Sequence, residues 1–393
     1  MSRQTVIVGA ARTPIGGLSG ELASCSAVEL GAVAIKAAVE RAGLGKSDIQ
    51  GLGMGCVLPA GLGQAPARQA ALKAGLDIST PCFTINKVCG SGMESVMHLD
   101  TQIRAGDIDV AVAGGMESMT NAPYMLPKAR NGYRFGHDKI WDHMAQDGLE
   151  DPANGDSMGI CAEEVIDKNP WLTRELIDQY AIESLEFAVR AQRDGDFDAE
   201  IAPVTIKTRK GEVVVDSDEQ PRNARPDKIP ALKPTFRGDG RLTPANSSSI
   251  SDGAAALALM EKSAAEQRGI KPLAKIVAQA VWAGTPREFS AAPSNTLKVL
   301  LEKAGWSVGD VDLFEFNEAF ATVPMLSMRE FDIPRDKMNV NGGACALGHP
   351  IGCSGTRIIV TLVHALQRRN LKRGVAAICL GGGEATAVAI ELV

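Results

Sequence analysis

Three residues stand where a side chain can do chemistry. Cys89, in FTINKVCGSGMES, follows an apolar run and precedes a Gly-Ser-Gly helix start. A thiol there meets unpaired backbone N–H groups and the positive end of the helix dipole, and both favour the reactive thiolate. The competing reading is a buried cysteine at a tight turn. His349, in NVNGGACALGHPIGCSG, is the one histidine of five held in a Gly- and Pro-rich loop leading into a helix. His98 and His364 fall inside long helices, and His137 and His143 in a polar stretch. Cys379 ends an apolar strand ahead of Leu380 and three glycines, where a thiol can exchange a proton while a glycine N–H holds an oxyanion. Asn317, straight after DLFEF, reads either as a helix N-cap or as a polar group positioning a water or carbonyl. Taken segment by segment, each also has a purely structural reading.

Other chemistries find less support. The eight cysteines form no CxxC pair, so zinc and thioredoxin-type sites are disfavoured and free, mostly buried thiols are expected. The glycine-rich segments GLGMG and GHPIGCSG lack the GxGxxG spacing of a dinucleotide fold. A net charge of −6, from 41 Lys and Arg against 47 Asp and Glu, argues against a broad nucleic-acid footprint. The cluster Arg368, Arg369, Lys372 and Arg373 reads as a solvated helix end. No apolar run nears the ~18 residues of a membrane helix, and the N-terminus lacks a signal-peptide core. A soluble, cytoplasmic protein is expected.

The elements that must hold these residues alternate along both ends of the 393-residue chain, for which length alone predicts two to three domains. Strand patterns at 5–9, 51–57, 83–87 and 109–113 interleave with helix patterns at 27–41, 65–74 and 91–104. The far end repeats the order, with strands at 273–281, 312–316 and 375–379 and helices at 295–304, 318–331 and 355–368. Such alternation predicts parallel sheets covered on both faces. Both ends also close with Ser-Gly, a long helix, a charged turn, an apolar strand and Gly-Gly, which suggests an internal duplication. Residues 120–250, rich in Pro, Asp, Asn and Gly, with a helix at 173–193, read as an insert.

Together the motifs INKVCGSG, GGMESM, ANSSSISDGAAA, NEAF, GGACALGHPIGCSG and CLGGG, in this order and spacing, resemble the thiolase family along essentially the whole chain. The resemblance implies a five-layered αβαβα fold of two similar halves: residues 1–119, completed by about 251–270, and 271–393, with 120–250 as an inserted loop domain. It also implies a dimer or a tetramer, whose assembly loop would fall near residues 126–140. Cys89 would be the nucleophile that carries the acyl group, His349 its base, and Cys379 the acid/base at the substrate α-carbon. Asn317 would hold a water at the enolate oxygen. The N–H groups of Cys89 and Gly381 would form an oxyanion hole. Contacts to coenzyme A would map to Arg222, Ser248, Leu149, Ala319 and Phe320, with Arg222 the looser correspondence. No metal or other cofactor is expected, because coenzyme A is itself substrate and product.

Departures from the family pattern bear on substrate. Ser157 stands before Met158-Gly159 where acetoacetyl-specific members carry histidine, which puts short-chain specificity in question. Phe289 takes the place of a pocket methionine of many bacterial members and narrows the pocket. Gln220 stands where potassium-dependent members have tyrosine, so no potassium requirement is expected. The expected reaction is the reversible condensation of two acetyl-coenzyme A to acetoacetyl-coenzyme A. The alternatives are a degradative 3-ketoacyl thiolase of broader chain length and a non-catalytic acyl-coenzyme A or lipid binder.

Overall fold

The computed structural model describes residues 3–393. Nine strands and eight helices frame the site. The strands are β1 (Thr5–Arg12), β2 (Gly51–Gly55), β3 (Cys82–Ile85), β4 (Val110–Ser118), β5 (Ser251–Glu261), β6 (Ala274–Ala283), β7 (Leu313–Phe316), β8 (Arg373–Leu380) and β9 (Glu384–Leu392). The helices are α1 (Ala27–Arg41), α2 (Pro66–Lys73), α3 (Ser91–Ala105), α4 (Met158–Asp167), α5 (Arg174–Arg193), α6 (Ala292–Ala304), α7 (Thr322–Phe331) and α8 (Ile351–Arg368).

The strands run in the order β7-β8-β9-β6-β1-β5-β4-β2-β3. At the centre, β1 and β6 share only two residue pairs, Val6 with Lys275 and Ile7 with Ala274, so the two half-sheets diverge from a narrow seam. Side-chain alternation then builds the layers. In β1, Val6 and Val8 pack against α1 and α2 on one face while Ile7 points the other way. That other face meets Val96 and Leu99 of α3, Ile359 and Leu362 of α8, and Ile378 and Val388 of the second half-sheet. Beyond the second half-sheet, Ala280, Val375 and Ala387 pack on Leu297 and Leu300 of α6. Two buried helices are thus sandwiched between two half-sheets, each covered outside by helices, giving the five layers αβαβα. Helix α1 starts at a capping box between Ser26 and Glu29, which satisfies its first N–H groups.

The alternation of strands and helices predicted parallel sheets, and the structure corrects this. Pairing is parallel only among β2, β3 and β4 and between β7 and β8; β1/β5, β5/β4, β6/β9 and β9/β8 are antiparallel. The reason is one extra strand per half, β5 and β9, that the pattern did not reveal. Both are covered on two faces, so SDGAAALALME and EATAVAIEL lack the alternation of a half-buried strand. The polar stretch also holds more structure than expected. It forms α4 and a hairpin of Val204–Thr208 with Gly211–Val215, besides α5. It is anchored to β1 by Arg12, a fully buried guanidinium paired with Glu200 at 2.5 Å and Asp218 at 2.7 Å. No helix of the described residues is long and apolar enough to cross a membrane.

Candidate active site

Cys89 lies in the turn that carries β3 into α3. Val88, just before it, has φ +47°, a left-handed conformation that a β-branched residue adopts only under constraint, at about 1–3 kcal/mol. The constraint is local. Val88 N–H donates to Asn86 Oδ1 at 2.9 Å, Ser91 Oγ donates to the Val88 carbonyl at 2.6 Å, and Lys87 N–H donates to Ser91 Oγ at 2.8 Å. The helix start was expected to favour the Cys89 thiolate. Instead, burial pushes the thiol up to about 11 and outweighs the N–H groups of Gly381 and of Cys89 itself, which act to lower it. Nearby Glu117 raises it further. At rest this is a thiol that needs a base.

A group that can act as one, His349, lines the same cavity. Gly348, at φ +108° and too close to Ser251 Oγ for any Cβ, turns the chain so that His349 N–H reaches the Ser249 carbonyl and Ser251 Oγ, each at 3.2 Å. Burial and the Arg357 charge push His349 down to about 3, so the ring is neutral at working pH. Its tautomer follows from its neighbours. Ser354 Oγ has two partners, the Pro350 carbonyl at 3.1 Å and His349 Nδ1 at 2.6 Å, while Asn317 Nδ2, which can only donate, faces Nε2; on that ground we assign the hydroxyl proton to Pro350 and the ring proton to Nδ1. The proton sits on Nδ1 and Nε2 keeps its lone pair, 3.4 Å from Asn317 Nδ2. Asn317 is buried and its Oδ1 has no partner in the structure.

Cys379 closes the set at the end of β8. Burial, and secondly the Cys89 sulfur, hold its thiol well above the ordinary range, so it keeps its proton. Gly382 and Gly383, at φ +92° and +83°, make the turn after it that leaves Gly381 N–H pointing at the Cys89 sulfur.

Two buried carboxylates hold these loops. Glu318 accepts from Tyr180 Oη (3.0 Å), Ser184 Oγ (2.8 Å), Asn339 Nδ2 (2.8 Å) and Cys345 N–H (3.1 Å), fastening the NEAF segment to the loop before His349. That is why α7 starts at Thr322 rather than at Glu318, as its helical pattern predicted. Glu117 accepts from the N–H groups of Val57, Leu58 and Gly352 at 2.8–3.1 Å.

Cys89, His349, Cys379 and Gly381 open into one mainly apolar cavity of about 400 Å³. Its walls include Leu149, Ser157, Met158, Ser248, Phe289, Ala319 and Phe320, each singled out from sequence. Phe289 and Phe320 meet edge to face at 6.1 Å. Met119, Phe236, Ile250 and Ile351 also line it and were not anticipated, since a single apolar residue in a loop or at a helix start carries no signal of its own. Ser248 spends its hydroxyl on the Ala319 carbonyl at 3.0 Å. Arg222 is not brought to this cavity. Its guanidinium pairs with Glu21 at 2.5 Å and with the Asp218 carbonyl at 3.2 Å, on a separate surface depression. Two exposed cations, Arg225 and Lys228, line a depression that shares Pro244 with the cavity.

Against known families, residues 5–263 match the thiolase N-terminal domain and residues 270–392 the thiolase C-terminal domain. The chain belongs to the thiolase family. A probable acetyl-CoA acetyltransferase of Dictyostelium discoideum is 47% identical over 98% of this thiolase and 93% of its own length. The acetyl-CoA acetyltransferase of Escherichia coli K12 is also 47% identical, over 99% of each chain. The crystal structure of the Bacillus anthracis acetyl-CoA acetyltransferase superposes with a TM-score of 0.97 at 40% identity, covering 100% of this thiolase and 99% of that chain. A thiolase of Ascaris suum in complex with coenzyme A gives 0.94 at 41% identity, over 99% and 100% of the two chains.

Proposed function

We propose that this thiolase is an acetyl-coenzyme A acetyltransferase, interconverting acetoacetyl-coenzyme A plus coenzyme A with two acetyl-coenzyme A. The observation that carries this reading is the convergence of two thiols, a neutral imidazole with a free Nε2 and the Gly381 N–H on one apolar cavity. In the cleavage direction, His349 Nε2 takes the Cys89 proton and the sulfur attacks the 3-keto carbon. The N–H groups of Cys89 and Gly381 stabilise the tetrahedral oxyanion. The C2–C3 bond then breaks, leaving an acyl-enzyme and the enolate of acetyl-coenzyme A, which a water held by Asn317 and His349 stabilises. Cys379, protonated at rest, gives its proton to C2. Coenzyme A then attacks the acyl-enzyme, its thiol proton passing to the Cys379 thiolate, and the expelled Cys89 sulfur takes back its proton from His349. Condensation is the reverse. No step calls for a metal or a further cofactor.

The pantetheine arm runs between Leu149, Ser248, Ala319 and Phe320, and the anionic nucleotide end reaches Arg225 and Lys228 rather than Arg222. The exposed apolar residues Leu126, Phe135 and Ile140 support a self-associating chain, a homodimer or homotetramer. A degradative 3-ketoacyl thiolase of broader chain length is the second reading, favoured by Ser157 and the apolar cavity wall. The test is thiolysis of acetoacetyl-coenzyme A beside C8 and C16 3-ketoacyl substrates. A more than tenfold preference in kcat/KM for the four-carbon substrate, about 1.4 kcal/mol, is expected. Equal or better rates on the long chains favour the second reading. No turnover of any of them refutes both and leaves an acyl-coenzyme A binder.

A further inference from the structure

Two neighbouring parts of the cavity wall, packed against each other, belong to distant parts of the chain. Leu149, Ser157 and Met158 come from the insert, and Phe289 from the turn before α6. Two ion pairs join them: an exposed one, Lys168 Nζ to Glu288 at 2.6 Å, and a larger one centred on Arg287. Arg287, two residues before Phe289, donates through Nε and Nη2 to both oxygens of Glu164 (2.8 and 2.5 Å), through Nη2 to Asp156 (2.8 Å) and through Nη1 to Asp151 (3.0 Å). Asp151 and Asp156 bound the loop leading to Ser157. That loop is also closed on itself, with Asp151 N–H on the Asp156 carbonyl at 2.7 Å and Gly155 N–H on the Asp151 carbonyl at 2.8 Å. Glu164 lies on α4, whose buried Cys161 packs in the same apolar cluster as Phe289 and Phe320. Arg287 does not line the cavity.

We infer that Arg287 is a specificity-determining positioning residue, a four-bond clamp that fixes the width of the acyl pocket and so limits the length of the 3-ketoacyl chain it takes. The inference rests on the thiolase activity proposed above. Its physical basis is geometry and charge. A planar guanidinium matches a carboxylate with two parallel bonds, and here it also neutralises part of a cluster of three carboxylates that would otherwise repel. Without it, the Ser157 loop loses its bonds to the Phe289 turn, only the Lys168–Glu288 pair and the apolar cluster still tie α4 to that turn, and the pocket can widen.

The test compares wild type, Arg287→Met and Arg287→Lys by two readouts. The first is hydrogen exchange over residues 149–160, which reports the clamp without any catalysis. The second is the ratio of kcat/KM for 3-ketooctanoyl-coenzyme A to that for acetoacetyl-coenzyme A. Faster exchange and a roughly tenfold rise of the ratio are expected for Arg287→Met, the scale on which a pocket senses added methylenes. Arg287→Lys, keeping the charge without the fork, should fall between. Unchanged exchange overturns the clamp. Faster exchange with an unchanged or lower ratio overturns its role in specificity. A wild-type enzyme inactive on both substrates refutes the proposed function, and exchange alone then decides the clamp. Should Arg287→Met not fold, Asp156→Ala with Glu164→Ala removes three of the four bonds with Arg287 kept, and the same outcomes apply.

Discussion

Replacing Ser354 with Ala tests the tautomer argument most directly. The hydroxyl is buried, does not line the cavity, and makes one 2.6 Å contact with His349 Nδ1 while donating to Pro350. In the variant, Nδ1–H is left without its acceptor in a buried setting, which costs about 1–3 kcal/mol. The ring relieves that cost by carrying its proton on Nε2, the atom proposed above to accept the Cys89 proton. A bias of that size shifts the tautomer population by roughly 5- to 150-fold. Thiolysis kcat should therefore fall by about 10- to 100-fold with KM nearly unchanged, since no wall of the cavity is altered. Because His349 is held neutral down to about pH 3, the loss should be the same at pH 6 and pH 8. Nitrogen NMR of histidine-labelled protein reads the swap independently, as movement of the protonated signal from Nδ1 to Nε2. Wild-type kcat, a loss confined to KM, or an unchanged nitrogen spectrum alongside slow turnover would refute the reasoning.

Three further outcomes are expected. Cys379→Ser should still transfer an acyl group to Cys89, seen by mass spectrometry of the trapped enzyme, while losing carbon–carbon bond formation; equal loss of both steps would contradict its α-carbon role. With the Cys89 thiol pushed up to about 11, alkylation of Cys89 by iodoacetamide in the free enzyme should climb with pH from 7 to 10 without a plateau, and acetyl-coenzyme A should protect it; a plateau below pH 8 would mean that a thiolate already exists at rest. Burial pushes Glu117 up to about 7 from an ordinary 4.5, so the folded chain binds a proton that the unfolded chain releases. The stability this contributes, about 3 kcal/mol, is full below pH 4.5 and lost as pH rises through 7. Urea denaturation at pH 5 and 7.5 should show this slope flattened in Glu117→Gln, and an equal slope would remove Glu117 as its source.

What the sequence made legible follows from how local each signal is. Cys89, His349 and Cys379 could be found because each sits in a short run of glycines or prolines whose backbone demands are written beside it, as the left-handed glycines 348, 382 and 383 show. Their partners could not be found this way. Glu318 meets Tyr180 across 138 positions, and Arg287 meets Glu164 across 123, so nothing near either residue announces the bond. The same distinction separates the readings of Cys89. Its helix start is a local feature and argued for thiolate, but its burial is a property of the closed cavity and prevails. The strands β5 and β9 escaped for a related reason, because alternation marks a strand only where one face meets water, and these two are covered on both. Sequence thus located the groups that share the cavity, while the groups that set their protonation and spacing became visible only once distant segments were packed together. Ser354 is the instructive middle case. It lies five residues from His349, near enough to read, yet its role depends on its hydroxyl being committed to Pro350, and only the folded geometry fixes which partner donates.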